Sequence, residues 1–189
     1  MLDSAMTFLA DEVNVYIKKR SGAVTNTVEV GSLADDQGKW AITEGQLRVA
    51  LINIEEERVL RSQVPERTYI NDKLVTMQPT VKLNLVLMFA ARLKKYTDSL
   101  RYLSYVITFF QSQPSFTPDE YPGLDARIEK LTVEMLPFGP EQLNQTWAYI
   151  GTKYLPSVAY RIRLIALQDI EPMGISQPIT MIETRLHDK

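Results

Sequence analysis

The sequence predicts an α+β domain, a mainly antiparallel sheet with about three helices packed on one of its faces. Three observations predict it. Stretches with helical apolar spacing recur around residues 6–17, 97–111 and 140–150. Long alternating runs lie between them, clearest at Glu129–Leu136 and Ser157–Gln168, and neighbouring runs are spaced like hairpins. The length of 189 residues suits one domain, and a 45% apolar, 23% charged composition excludes wholesale disorder. The domain is expected over residues 1–170. Residues 171–189, punctuated by Pro172, Gly174 and Pro178, are expected to form an extended C-terminal tail.

The first helix follows from Met6, Leu9, Val13, Tyr16 and Ile17, which share one stripe. Asp3 or Ser4 is expected to cap it, Lys18–Arg20 suit the negative end of its dipole, and Gly22 ends it. Val24–Val30 reads as a short strand and Leu33–Gly45 as a surface loop. Leu47–Glu57 is ambiguous. Its β-branched residues and a face turning polar at Asn53 and Glu55 favour strand, whereas a helix would continue through Glu55–Arg61. Pro65–Asp72 reads as a connection, and Thr80–Ala90 as a strand covered on both faces near its middle.

Thr97–Gln111 has two apolar stripes, Leu100, Leu103, Ile107 and Phe110 beside Tyr102, Tyr105, Val106 and Phe109. A helix of that kind is expected to be buried from two sides. Gln113–Gly123, with three prolines, reads as irregular. In Glu129–Leu136 the inward set is Leu131, Val133 and Met135. Pro140 and Glu141 open a third helix that Gly151 stops, with Phe138 and Leu143 at the spacing of a hydrophobic staple and Trp147 as a core anchor. In Ser157–Gln168, Val158, Tyr160, Ile162 and Leu164 oppose Arg161 and Arg163.

Composition narrows the function. Twenty-one basic against 23 acidic side chains lack the footprint of a dedicated nucleic-acid binder. With no cysteine, disulfides, thiol catalysis and thiolate metal sites are excluded. One histidine, His187, makes a Ser-His-Asp triad or a multi-histidine zinc site hard to build. Acidic residues near the start do not fit a signal peptide, and the longest mostly apolar run, Leu83–Ala91, is far short of a membrane helix. Folding in a reducing cytoplasm, with no cofactor, metal or small-molecule substrate, is the expectation.

Two polar groups stand out. Glu55, Glu56 and Glu57 could serve acid-base hydrolysis or bind a divalent cation. On a strand, however, Glu55 and Glu57 share one face and Glu56 takes the other, which suits solvated or ion-paired charges, with Arg58 and Arg61 at hand, or contact with a neighbouring chain. Arg161 and Arg163 share a strand face near Lys153, a geometry open to phosphate, to a polar sheet face or to a protein interface. The pairs Tyr102/Tyr105 and Phe109/Phe110 could stack bases, but their helical spacing reads as packing. The residues alone point to an interaction domain without catalytic machinery.

Residues in order along the chain then resemble a known family. They are Leu2-Asp3, Asn53–Glu57, Pro79, Leu83-Asn84-Leu85, Leu103-Ser104 and Phe109-Phe110-Gln111, followed by Leu143, Trp147, Gly151, Tyr154 and Pro156–Arg161. The sequence resembles the cap, or tail-terminator, proteins of extracellular contractile injection systems, phage-tail-like particles of antifeeding-prophage type. That resemblance implies a ring, a hexamer, at the end opposite the baseplate. It would bind the last inner-tube layer and contact the last sheath ring, first assembled in the cytoplasm and then part of the particle. Interface candidates are Glu55, Glu56, Glu57, Arg58, Arg161, Arg163 and, in the tail, Pro172, Ile175 and Ile179. A non-catalytic adaptor or assembly chaperone for tube or sheath subunits is the alternative. A carboxylate-dependent hydrolase is a third.

Overall fold

The computed structural model describes residues 1–23, 27–57, 66–70, 73–77, 82–166 and 174–176. Along the chain these form α1 (Leu2–Ser21), β1 (Val28–Val30), β2 (Gln46–Glu56), β3 (Glu66–Ile70), β4 (Lys73–Met77) and β5 (Lys82–Arg92). Then follow α2 (Tyr96–Ser112), β6 (Ser115–Phe116), β7 (Ile128–Leu136), α3 (Pro140–Ile150), β8 (Ser157–Ala166) and β9 (Gly174–Ser176). One sheet has the order β1-β2-β5-β8-β7-β6, antiparallel throughout except for the parallel β1–β2 pair. A second, antiparallel sheet has the order β3-β4-β9. The fold class is the α+β architecture expected.

β5 lies inside the large sheet and is covered on both sides. Leu85, Leu87, Phe89 and Ala91 join one core, Met88 and Ala90 another. The first core is formed with α1 and α2, through Leu9, Val13, Ile17, Leu103, Val106 and Phe110 among others. The second is closed by α3 through Trp147 and by Leu33 and Ile42. The expectation that all helices share one face is therefore corrected. α3 lies on the opposite face, because Met88, Ala90 and Ala50 give that side an apolar floor that must also be covered.

Burial of Trp147 fits its anchor role, and Phe138 and Leu143 both pack on this second core. The loop Leu33–Gly45 departs from a surface loop at two points, since Leu33 and Ile42 are buried. Arg92 holds it down by donating to the Ile42 carbonyl at 2.7 Å and lying 4.9 Å from the Trp40 ring centre.

Other expectations change for local reasons. Neither Asp3 nor Ser4 caps α1; the helix already starts at Leu2. Asp3 instead accepts from the terminal ammonium at 2.8 Å, which lowers its pKa. Ser4 donates to Asp125 at 2.9 Å, tying the helix start to the turn before β7. Both α1 and α3 end as read, on left-handed glycines, Gly22 at φ 71° and Gly151 at φ 78°. β1 is shorter than Val24–Val30: it begins at Val28, and residues 24–26 lie outside the described residues. Residues 66–70 form β3 rather than a connection, paired with β4. β6 lies inside the segment read as irregular and pairs with Leu131 and Thr132.

α2 is buried along one side only, with Leu100 44% exposed. The strand made of residues 128–136 keeps Leu131 and Val133 inside but leaves Met135 51% exposed, beyond the two residues, Leu131 and Thr132, that β6 pairs. The ambiguous segment at Leu47–Glu57 is strand β2, and β8 has the alternation expected, with Val158, Tyr160, Ile162 and Leu164 buried. Burial alone raises the pKa of the Tyr160 phenol.

One buried polar residue locks the first helix to the sheet edge. Asn14 accepts from the Thr27 and Val28 N–H groups, both at 2.8 Å, and donates to the Val28 carbonyl at 2.8 Å. Its amide thus substitutes for a missing strand neighbour at the start of β1. Asn14→Ala should cost about 2–4 kcal/mol in urea unfolding, since three bonds are lost and buried amides are left unpaired. Amide exchange should quicken first at Val28. A second prediction concerns pH. Hydrogen bonds from Arg127 and Ser4 hold the Asp125 carboxyl well below the usual carboxylate range. A depressed native pKa stabilises the fold above the unfolded value of about 4 and loses that contribution as pH falls through the native one. The stability gap between the native chain and Asp125→Asn should therefore shrink as pH is lowered from about 4 in thermal melts.

Candidate interaction face

The covering of the α3 side stops partway along the sheet. Paired residues of adjacent strands share a face, so the register shows what lies beyond Met88 and Ala50. One row runs Asn53, Val86, Arg161, Glu134 across β2, β5, β8 and β7. The next runs Glu55, Asn84, Arg163, Thr132. This is an open, polar half-face with carboxylates toward one edge and guanidinium groups toward its middle.

A bulge between Leu51 and Asn53 sets up this arrangement. It turns Ile52 and Asn53 to the same side, so Ile52 packs into the α3 core while Asn53 begins the polar rows. Past the bulge, Asn53 donates to Glu55 at 3.0 Å, and Asn84 donates to Glu57 at 3.0 Å. Glu55 and Glu57 thus flank one face as read, while Glu56, opposite Leu83, lies on the other. Glu55 and Glu56 are exposed and Glu57 is half-buried.

Arg163 donates to Glu134 at 3.3 Å, a diagonal pair between adjacent strands exposed on both sides. Arg161 is half-buried and forms no ion pair among the described residues. It lines a cleft of about 340 Å³ with Asn53, Glu55, Val86 and, from the entry to α3, Phe138 and Gln142. Glu55 and Arg161, separated by more than a hundred positions, therefore share one cleft. The floor is apolar at Val86 and the rim is charged, which suits contact with a polar protein surface.

The remaining candidates are distributed differently. Ile175 lies in β9, its backbone opposite Val75. Arg58, Arg61, Pro172 and Ile179 lie outside the described residues. Lys153 is in the segment after α3, where its carbonyl accepts from the Trp40 indole at 2.8 Å. Phe109 and Phe110 are core, as their spacing suggested, and Tyr102 stacks edge-on with Tyr105 at 5.7 Å against that core. Among the described residues no group of three His, Cys, Asp or Glu side chains could hold a metal ion, and no helix is long and apolar enough to cross a membrane.

Sequence reasoning missed Asn53 and Glu134 as members of the face. Glu134 alternates with the inward set of its strand, and only the β7–β8 register puts it opposite Arg161.

Residues 5–181 match the family model described as the Pvc16 N-terminal domain. None of the curated protein sequences matches the chain significantly. Among solved structures, the fold is similar to a sheath/tube terminator of the PVC extracellular contractile injection system in its extended state, with a TM-score of 0.60 and 12% identity over 94% of this chain. It is also similar to the anti-feeding prophage cap, a tube-terminating cap, with a TM-score of 0.60 and 13% identity over 93% of this chain. The chain spans 63% and 59% of the length of those two proteins.

Because the pair between Arg163 and Glu134 is solvent-exposed, it contributes under about 1 kcal/mol. Combined Glu55→Gln, Arg161→Gln and Arg163→Gln substitutions should leave the urea midpoint almost unchanged. A collapse of stability would show that these side chains serve the fold rather than a partner.

Proposed function

The chain belongs to the Pvc16 N-terminal domain family, and on that premise we propose that it is a structural cap of a contractile injection system. Copies form a ring, a hexamer, that sits on the last inner-tube layer at the end opposite the baseplate and engages the last sheath ring. The mechanism is steric. A ring seated on the exposed end of the tube occupies the surface where another layer would add, so growth stops, and the same ring anchors the sheath as it shortens. No bond is made or broken, and the carboxylates Glu55 and Glu57 act as contacts rather than catalysts. Assembly takes place in the cytoplasm before the cap becomes part of the particle.

The observation that carries this reading is likeness to two terminators over nearly the whole chain, together with the family match. The polar half-face adds a surface suited to the role. Its carboxylate edge and Arg161, which forms no ion pair among the described residues, provide directional charge, which favours one docking orientation. Glu56 on the opposite face, Arg58, Arg163 and the tail residues Pro172, Ile175 and Ile179 complete the proposed contacts.

Deletion of the gene followed by electron microscopy of particles tests the proposal. Tubes of uncontrolled length or lost sheaths are expected; particles of normal length with a normal cap would refute it. An adaptor or chaperone would instead be missing from finished particles, which mass spectrometry of purified particles decides. Double charge reversal, Glu55→Lys with Arg161→Glu, should lower incorporation into particles without unfolding the chain.

A further inference from the structure

We propose that the open edge of β2 receives an added strand from a neighbouring copy, and that the strand is Ile179–Ile182. β1 covers only part of that edge. It pairs with Leu47, Arg48 and Val49, and the final rung is the Gly31 N–H donated to the Val49 carbonyl at 3.0 Å. The chain then leaves the edge to bury Leu33 in the α3 core. Among the described residues no strand pairs the same edge from Ala50 to Glu56.

A groove of about 680 Å³ runs alongside that uncovered backbone. Met6 and Val30 line it toward α1, Tyr149 and Ile150 toward α3, with Leu51 and Ile52 of the edge strand between them. Val30 is 40% exposed, Leu51 36% and Tyr149 86%, so large apolar side chains face water around main chain that no described strand pairs. The bulge sets the far limit. Just beyond it the Ile54 N–H is taken by the Asn53 side chain at 2.9 Å. The space therefore admits a short strand of three or four residues, about 10–13 Å long.

Because the lining side chains are mostly apolar, with Ser32 among them, the occupant must be uncharged and mainly apolar on both of its faces. Among the segments of this chain outside the described residues, 58–65 carries Arg58 and Arg61, 78–81 contains Pro79, and 167–173 carries Asp169 and Glu171. Ile179-Thr180-Met181-Ile182 meets the requirement, with Ile179 and Met181 on one side and Thr180 and Ile182 on the other.

The direction of β9 favours a neighbour over the chain's own tail. Ser176 lies opposite Leu74, so β9 leads the chain toward the β3–β4 connection and away from the end of β4 that continues into β5. Three residues from Ser176 to Ile179 reach at most about 11 Å. Groove and strand are different surfaces, so the contact is head-to-tail and repeats around a ring when the rotation closes. The inference rests on the ring reading above.

The chain has no cysteine, so engineered ones stand alone. Full-length protein carrying Leu51→Cys is mixed with a differently tagged full-length Met181→Cys or Ile179→Cys protein, oxidised, and read by mass spectrometry. A mixed disulfide is expected, about tenfold above that formed with Tyr96→Cys on exposed α2, because a docked segment is held at high effective concentration. Absence of the mixed disulfide overturns the proposal, whether or not the proteins associate. Association by light scattering without it leaves the ring standing and removes only this contact. In a separate protein carrying both Leu51→Cys and Met181→Cys, a disulfide found solely within one chain also overturns it, in favour of the chain's own tail.

Discussion

The structure depends on one strand that cannot meet water on either side. β5 presents Leu85, Leu87 and Phe89 to one core and Met88 and Ala90 to the other, all of them at 1% exposure or less. Burial of apolar surface is the dominant favourable term in folding, and this strand contributes to it on both faces. It forces a helix layer on each side, α1 and α2 against one face and α3 with the Leu33–Ile42 loop against the other. It also fixes the flanking strands, since β2 and β8 must satisfy the backbone of a strand sealed from solvent.

Coverage is complete only where the helices reach. At the α3 end the sheet is sealed by Trp147; beyond Phe138 it opens into rows of Asn53, Glu55, Asn84, Arg161 and Arg163. The same geometry leaves β2 half covered by β1. A short α3 and a three-residue β1 thus create two unfinished surfaces, one charged and one apolar. Incomplete coverage of this kind is costly in an isolated domain and useful in an assembling one, where neighbouring chains finish what the single chain leaves open.

Elements defined by local chemistry could be read directly. α3 carries Pro140 at its start and Gly151 at its end, and β8 alternates from Tyr160 to Leu164, so their character follows from backbone sterics and pleat. Difficulty arose where distant partners decide. Residues 66–70 carry Glu66 and Arg67 and gave no strand signal until paired with β4. Asn14 carries no local sign of purpose, because its partners, Thr27 and Val28, lie at the start of β1, thirteen and fourteen positions on. Two apolar stripes on α2 suggested cover on both sides, yet Leu100 faces solvent; apolar content sets how much can be buried, and only packing decides which side is.

The amino-acid order by itself determined the α+β class, the three helices, the principal strands, the lack of thiol chemistry and the shared face of Glu55 and Glu57, because each depends on period, punctuation or side-chain inventory. Its likeness to tail terminators was also carried by residues in order along the chain. Only the tertiary structure decided that α3 crosses to the second face, that Asn53 and Glu134 join Arg161, and that among the described residues one edge of β2 is paired only from Leu47 to Val49. Those features depend on strand register and on where a helix runs out, which are set by contacts between residues far apart in sequence and leave no periodic trace in either partner alone.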